Sequence, residues 1–118
     1  MTGRVSSVMS GDGEAVEIRA FRGTRRSSVY REHRVSEGAF VRILGVGAKR
    51  GLSLLSALDQ YGPHELDKRK ARDLVAETET IRSGGELREL DDELIAIAEV
   101  ARWCSRAPGE SWMKIEGP

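Results

Sequence analysis

The sequence predicts an α+β fold: a small antiparallel sheet, a helical hairpin packed on one face of it, and a C-terminal strand that returns to the sheet. Two observations support this fold. Short segments that alternate between apolar and polar residues lie in the first half and at the end of the chain, and two long segments of helical periodicity lie between them. The 118 residues suffice for one core. We therefore expect a flexible, Gly- and Ser-rich lead-in over residues 1–14 and a single domain over residues 15–118.

Strands are predicted at both ends of the chain. In "AVEIRAFRG", apolar and charged residues alternate from Val16 onwards, which is the period of a half-buried strand. The segment "SSVYREHRVSEG" alternates more weakly, and the apolar, β-branched run "AFVRILGVG" predicts a third strand bounded by Gly38 and Gly45. In the terminal "SWMKIEG", Met113 and Ile115 share one side, which predicts a last strand.

Helices are predicted in the second half. The segment "LSLLSALD" is sufficient for one or two helical turns. After a Tyr-Gly-Pro turn, Asp67 can cap a helix whose apolar positions run from Ala71 to Ile81 and which a Gly-Gly pair ends. The clearest helix follows, with an apolar stripe from Leu87 to Cys104.

Composition limits the classes of protein to consider. The net charge is zero, 32% of the residues are charged, and no run approaches the roughly 20 apolar residues that span a bilayer. Cys104 is the single cysteine, which excludes an intramolecular disulfide and a cysteine-based zinc cluster. We expect a cytoplasmic protein that has no membrane contact, metal or cofactor.

The segment "DQYGPH" concentrates polar groups at a corner of the chain. In a structural interpretation, Gly62 supplies a special backbone angle, Pro63 fits a turn, Asp59 caps the end of the preceding short helix, and Tyr61 offers an apolar ring with a polar tip. In a functional interpretation, Asp59 orients His64 as a general base. No nucleophile is fixed nearby in sequence, so we favour a structural turn.

The segments "LSLLSALDQYG", "DLVAETETI" and "AIAEVARWCSRAPGESWMKIEG" together resemble a group of small bacterial proteins. The pattern of that group is a Leu-rich segment, a Leu-Asp-Pro-Tyr-Gly turn, two helices of which the second ends in Arg-x-Cys, and a final strand ending in Gly-Asp. The resemblance covers about the last 70 residues. This chain has Gln60 where the pattern has proline and ends in Pro118 rather than aspartate. The resemblance implies that the turn is a structural hallmark, and it transfers no activity.

An arginine-rich segment, residues 19–34, interleaves its guanidinium groups with Phe21 and Tyr30. Aromatic rings among arginines suit stacking on bases and pairing with phosphates. The candidate contacts to an anion or nucleic acid are Arg22, Arg25, Arg26, Arg31 and Arg34. However, the sequence pI is near 6.7, and the residues after position 50 carry nine basic against fourteen acidic groups. The favoured interpretation is therefore a solvated strand face, or ion pairing with the acidic helix.

Three residues on the clearest helix lie outside its apolar stripe: Ile95, Glu99 and Trp103. Trp103 falls almost opposite the centre of the stripe, so a single buried helix face cannot include both the stripe and Trp103. Either the C-terminal strand with Trp112 covers this side, or a second molecule does. Tryptophan is enriched at interface hot spots, so we propose these three residues as a contact with another protein or a second copy of the chain.

Taken together, the sequence favours binding over chemistry, because no catalytic constellation is recognisable. The main hypothesis is a small, non-enzymatic protein-binding module with an immunity or neutralising, regulatory or subunit role, a homodimer included. One alternative is a nucleic-acid-binding protein that uses residues 19–34. A second alternative is a small enzyme that places His33 or His64 beside a carboxylate in a pocket.

Overall fold

The computed structural model of the chain describes residues 14–23 and 29–118, and it shows one four-stranded antiparallel sheet with helices. The strands are β1 (Ala15–Arg22), β2 (Val29–Ser36), β3 (His64–Asp67) and β4 (Ser111–Glu116). The helices are α1 (Glu37–Lys49), α2 (Ser53–Ser56), α3 (Lys68–Gly84) and α4 (Asp91–Arg106), with a 3₁₀ turn at Arg88–Leu90. The predicted α+β class is confirmed. Apart from Glu14, the predicted lead-in lies outside the described residues.

The strand order is β2-β1-β4-β3, so the last strand of the chain lies inside the sheet. Ile18 in β1 is paired with His33 of β2 on one side and with Ile115 of β4 on the other. On its second edge β4 pairs with β3, where Met113 lies opposite Leu66. The prediction that the C-terminal segment returns to the sheet is confirmed, and its two partners are now identified.

One face of the sheet is buried beneath the helices. Val16, Ile18 and Ala20 are fully buried, as the alternation in β1 predicts. They share one apolar core with Met113 and with the stripe of α4 that ends at Cys104. Helices α3 and α4 pack against each other and against the sheet, which is the predicted helical hairpin on one face.

The prediction of a strand over "AFVRILGVG" is wrong, because this segment lies within helix α1. Ser36 caps the helix, since its hydroxyl accepts a hydrogen bond from the backbone N–H of Ala39 at 3.2 Å. The buried side is formed by Phe40, Ile43, Leu44 and Gly47, which is a helical spacing. Gly47 is small because α2 packs on it: a Cβ there would lie 2.6 Å from Cβ of Leu55.

Strand β3, of four residues, is too short for its alternation to be recognised in the sequence, and it was not predicted. Asp67 ends it and caps α3 as predicted, by accepting the backbone N–H of Lys70 at 2.9 Å. Helix α2 receives its cap from a distant residue. The carboxylate of Glu77 on α3 accepts the N–H groups of Leu54 and Leu55 at 3.0 and 2.9 Å.

Ion pairs connect the basic first half of the chain to the acidic second half. Arg50 Nη1 lies 2.7 Å from Glu86 Oε1, and Arg42 pairs with Glu89. These contacts fasten α1 to the segment between α3 and α4. Ion pairs between the halves are therefore present, but the described arginines of residues 19–34 that form ion pairs do so with carboxylates of the first half.

The corner between α2 and β3 closes on the end of β4. Asp59 does not cap α2 as expected; its Oδ1 instead accepts the N–H groups of Tyr61 and Gly62 at 2.9 and 2.8 Å. The carbonyl of Tyr61 accepts the N–H of Gly117 at 2.8 Å. Gly62 has a φ of 62°, and a Cβ at this position would lie 2.5 Å from the carbonyl oxygen of Ile115. This turn needs a glycine for both its backbone angle and its space.

We predict that Gly62→Val destabilises the protein by about 2 kcal/mol or more, since it adds a steric clash to an unfavourable backbone angle. Gly109→Val is the matched control: its φ is 73°, but no atom lies within 4 Å of the added Cβ. The control is expected to lose about 1 kcal/mol. Denaturant unfolding measures both values, and equal losses would show that the close approach to Ile115 is unimportant.

Candidate functional site

An irregularity in β2 shapes the surface around Trp103. The pairing of β1 with β2 shifts between Ala20 and Phe21, because Ala20 faces Arg31 while Phe21 faces Val29. Tyr30 is thus an additional residue in β2, as in a β-bulge. Neighbouring strand residues ordinarily point to opposite faces, but here Tyr30 and Arg31 both reach α4.

Trp103 receives both of these side chains. The Tyr30 ring stacks on the indole with centroids 5.3 Å apart and planes inclined by 26°. The guanidinium carbon of Arg31 lies 5.8 Å from the centre of the same indole, within the range of a cation–π contact. Trp103 is half-buried as a result, although it lies outside the apolar stripe of its helix.

A groove of about 370 Å³ runs beside Trp103, along the second half of α4 and the turn that follows it. Its residues are Arg31, Glu99, Arg102, Trp103, Arg106, Ala107 and Pro108. Within the described residues, no carboxylate oxygen lies within 4 Å of the guanidinium groups of Arg31, Arg102 or Arg106. We call this feature the α4 groove. It combines an apolar wall with three arginines that lack an acidic partner in the described part of the chain.

The proposed contact residues Ile95, Glu99 and Trp103 differ in their surroundings, since Trp103 also packs against the apolar core. Ile95 is 39% exposed and Glu99 is exposed, while Trp103 lines the α4 groove. The alternative that Trp112 covers this side is wrong. Trp112 stacks on Phe21 with centroids 4.4 Å apart, on the face of the sheet that points away from the helices.

The arginine-rich segment is divided between the two faces of the sheet. On the face away from the helices, Arg19 lies 2.6 Å from Glu17 and 2.8 Å from Glu32, and Arg34 lies 3.8 Å from Glu17. The hydrogen bond to Glu32 and these charges raise the pKa of Arg19. Arg31 is on the helix side, and Arg22 is exposed where β1 ends. Arg25 and Arg26 lie outside the described residues.

Each histidine is engaged within the fold. His33 Nε2 lies 2.6 Å from Glu93 Oε1, which joins β2 to α4. His64 Nε2 lies 3.1 Å from the backbone nitrogen of Asp59 and 3.2 Å from Asp59 Oδ1. The pairing of Asp59 with His64 therefore exists, but the same ring nitrogen serves the turn. Neither histidine lines the α4 groove.

Of the three contact residues proposed from the sequence, Glu99 and Trp103 line the α4 groove and Ile95 does not; Arg102, Arg106 and Tyr30 were not proposed. Residues 99, 102, 103 and 106 recur at helical spacing, so the helix alone contained a signal for this surface. The position of Tyr30 depends on the irregularity in β2. No local pattern in the sequence predicts it.

Comparisons with known proteins give no match: no family model, curated protein or solved structure corresponds to this chain. Among the described residues, no group of three or more His, Cys, Asp or Glu side chains is placed to hold a metal ion. None of the helices described is long and apolar enough to cross a membrane.

We predict that Asp59 contributes to acid sensitivity. The N–H of Gly62, then that of Tyr61 and the side chain of His64 hold the pKa of Asp59 below its usual range. A lowered folded-state pKa stabilises the fold above the unfolded value of about 3.9, and this contribution disappears as the pH falls through the folded-state pKa. The melting temperature of Asp59→Asn should therefore decrease less than that of the wild type when the pH is lowered from neutral to below about 4. Parallel pH profiles would contradict the prediction.

We predict that Cys104 is unreactive in the folded protein. Its side chain is fully buried, and burial raises the pKa of the thiol, with the Ser111 hydroxyl 3.8 Å from the sulfur. A chromogenic thiol reagent should modify it only as fast as the protein opens, and at once in denaturant. Immediate labelling of the native protein would show that α4 does not cover the sulfur.

Proposed function

We propose that this chain is a non-enzymatic protein-binding module and that its partner protein binds in the α4 groove. The observation that supports the proposal most strongly is the position of half-buried Trp103 beside three guanidinium groups without a described carboxylate partner. Tryptophan and arginine are the side chains most enriched among interface hot spots. An apolar wall with charged groups around it also matches the arrangement of a protein interface.

The groove has little that could perform a reaction. Its lining includes Glu99 but no histidine, cysteine, serine or lysine. A lone exposed carboxylate without a nucleophile or second acid–base group is poorly suited to catalysis. The two histidines that an enzyme hypothesis requires are engaged in contacts that hold β2 to α4 and close the corner.

The nucleic-acid alternative receives less support. The carboxylates of Glu17 and Glu32 neutralise Arg19 and Arg34, and Arg31 lies on the other face of the sheet. A phosphate backbone needs a continuous basic track, and the described arginines of residues 19–34 are not arranged as one. Regulation, neutralisation or a subunit role remains within the proposal, as does a cytoplasmic location, for which a free cysteine is suited.

We predict that a photo-reactive residue at position 99 forms a crosslink to a protein in the native cells. Glu99 is exposed and lines the groove, so a partner seated there contacts this position. Position 72 on α3 is the control, because Arg72 is also an exposed helical residue but lies outside the groove. Adducts should form from position 99 and not from position 72. Their mass, read by mass spectrometry, distinguishes a foreign protein from a second copy of the chain.

The crosslinking experiment at position 99 is repeated in a Trp103→Ala background. Trp103 is only half-buried, so its removal is expected to cost about 1 to 2 kcal/mol and to leave the protein folded. The adduct should then be lost while the circular dichroism spectrum is retained. Adducts that form equally from both positions, or that survive the loss of Trp103, would contradict a binding site in the groove.

A further inference from the structure

We infer that the α4 groove receives an acidic, extended segment of the partner, with two carboxylates two residues apart that pair with Arg102 and Arg106. This inference rests on the proposed function, and it adds the chemistry and spacing of the bound segment. Three properties of the groove lead to it: its charge, the spacing of its arginines, and its size.

The charge of the groove favours an anionic ligand. Arg31, Arg102 and Arg106 stand against the single carboxylate of Glu99. Lys68 does not line the groove, but its ammonium group donates a hydrogen bond to the carbonyl of the lining residue Ala107 and so brings a further positive charge near it. Guanidinium groups bind carboxylates in a bidentate manner, and these charge-assisted bonds are among the strongest polar contacts between proteins.

The spacing of the two helical arginines sets the spacing of the ligand. Arg102 and Arg106 are four residues apart on α4, so their Cβ atoms are about 5 to 6 Å apart. In an extended peptide, residues two apart point to the same side and are separated by about 6.6 Å. An acidic residue, any residue and a second acidic residue therefore present two carboxylates at an interval close to that of the Cβ atoms of the two arginines.

The size of the groove favours an extended ligand. A helix is about 10 Å wide with its side chains, and a groove of about 370 Å³ encloses only a small part of one. That volume suits a few residues of extended chain. An apolar side chain two positions beyond the second carboxylate would point to the same side, towards the wall that Trp103 and Pro108 form.

A peptide fits these features better than a nucleic acid. Tyr30 already stacks on the Trp103 indole, and Arg31 lies beside the same ring, so its faces are partly occupied before any base arrives. Glu99 can accept a hydrogen bond from a peptide N–H, a donor that a phosphodiester backbone does not offer.

The test uses fluorescein-labelled nonapeptides and measures their binding to the full chain by fluorescence anisotropy. The first contains two glutamates separated by one alanine, with a leucine two positions after the second glutamate. The second has the same composition with adjacent glutamates, and the third has glutamines in place of the glutamates. We expect the first peptide to bind at least about tenfold more tightly than either of the others, because adjacent glutamates lose one arginine–carboxylate pair and glutamines lose both.

Charge-reversal variants assign the binding to the groove. Arg102→Glu with Arg106→Glu should weaken binding of the first peptide by about tenfold or more. Arg69→Glu with Arg72→Glu is the matched control, since it makes the same charge change at two exposed positions of α3 outside the groove. The control should change the affinity by less than about threefold. The groove variant should in turn gain binding to a peptide with lysines in place of the glutamates, a result that an unfolded protein cannot give.

Each remaining outcome overturns the inference. Equal binding of the two glutamate peptides, or equal effects of the two double variants, would exclude the proposed pairing. Binding of a labelled oligothymidylate that only the groove variant abolishes would assign the site to nucleic acid. If none of the peptides binds but position 99 still forms a crosslink to a protein, the acidic ligand is wrong and the protein-binding function stands. If both experiments fail, both proposals fall.

Discussion

The backbone pairing of β4 on both of its edges is the interaction on which the rest of the structure depends. The strand joins β1 to β3, which are otherwise separate parts of the sheet. Its alternate residues Met113 and Ile115 supply the centre of the core, and Ser111 at its start donates a hydrogen bond to the carbonyl of Cys104 at 2.7 Å. At its far end, Gly117 binds the corner at Tyr61. The last residues of the chain therefore fix the sheet, the end of α4 and the corner together.

This arrangement also explains how the α4 groove is formed. Ser111 holds the end of α4 against the sheet, which keeps Ala107 and Pro108 at one end of the groove. The register shift in β2 supplies the other side, because it turns two successive side chains towards Trp103. The groove is thus a product of tertiary structure, although most of its residues belong to one helix. Its geometry changes if either the pairing of β4 or the irregularity in β2 changes.

Elements with a sustained period could be predicted, whereas those fixed by distant contacts could not. The alternation after Val16 predicts a strand with one buried face, and the stripe that ends at Cys104 predicts a helix with one buried face. In the structure these residues are buried in β1 and α4. Helix α1 was mistaken for a strand because Gly38 and Gly45 resemble the boundaries of an apolar strand. A third glycine, Gly47, lies within the helix because Leu55 packs against it. Strand β3 is defined by pairing with β4 rather than by its own four residues. For the same reason, the sequence identified the outer side of α4 but not Tyr30 as the cover of Trp103.

The arginines of the groove are distinguished by their convergence on one surface from two elements. Arg19, Arg42 and Arg50 each reach a carboxylate in the structure. The position of Arg106 has a structural explanation, since a cation in the last turn of α4 interacts favourably with the helix dipole. That explanation does not extend to Arg31, which lies on β2 and approaches the indole of Trp103 from outside the helix. Like charges gathered from two elements oppose folding by mutual repulsion. An anionic ligand bound in the groove would relieve that repulsion.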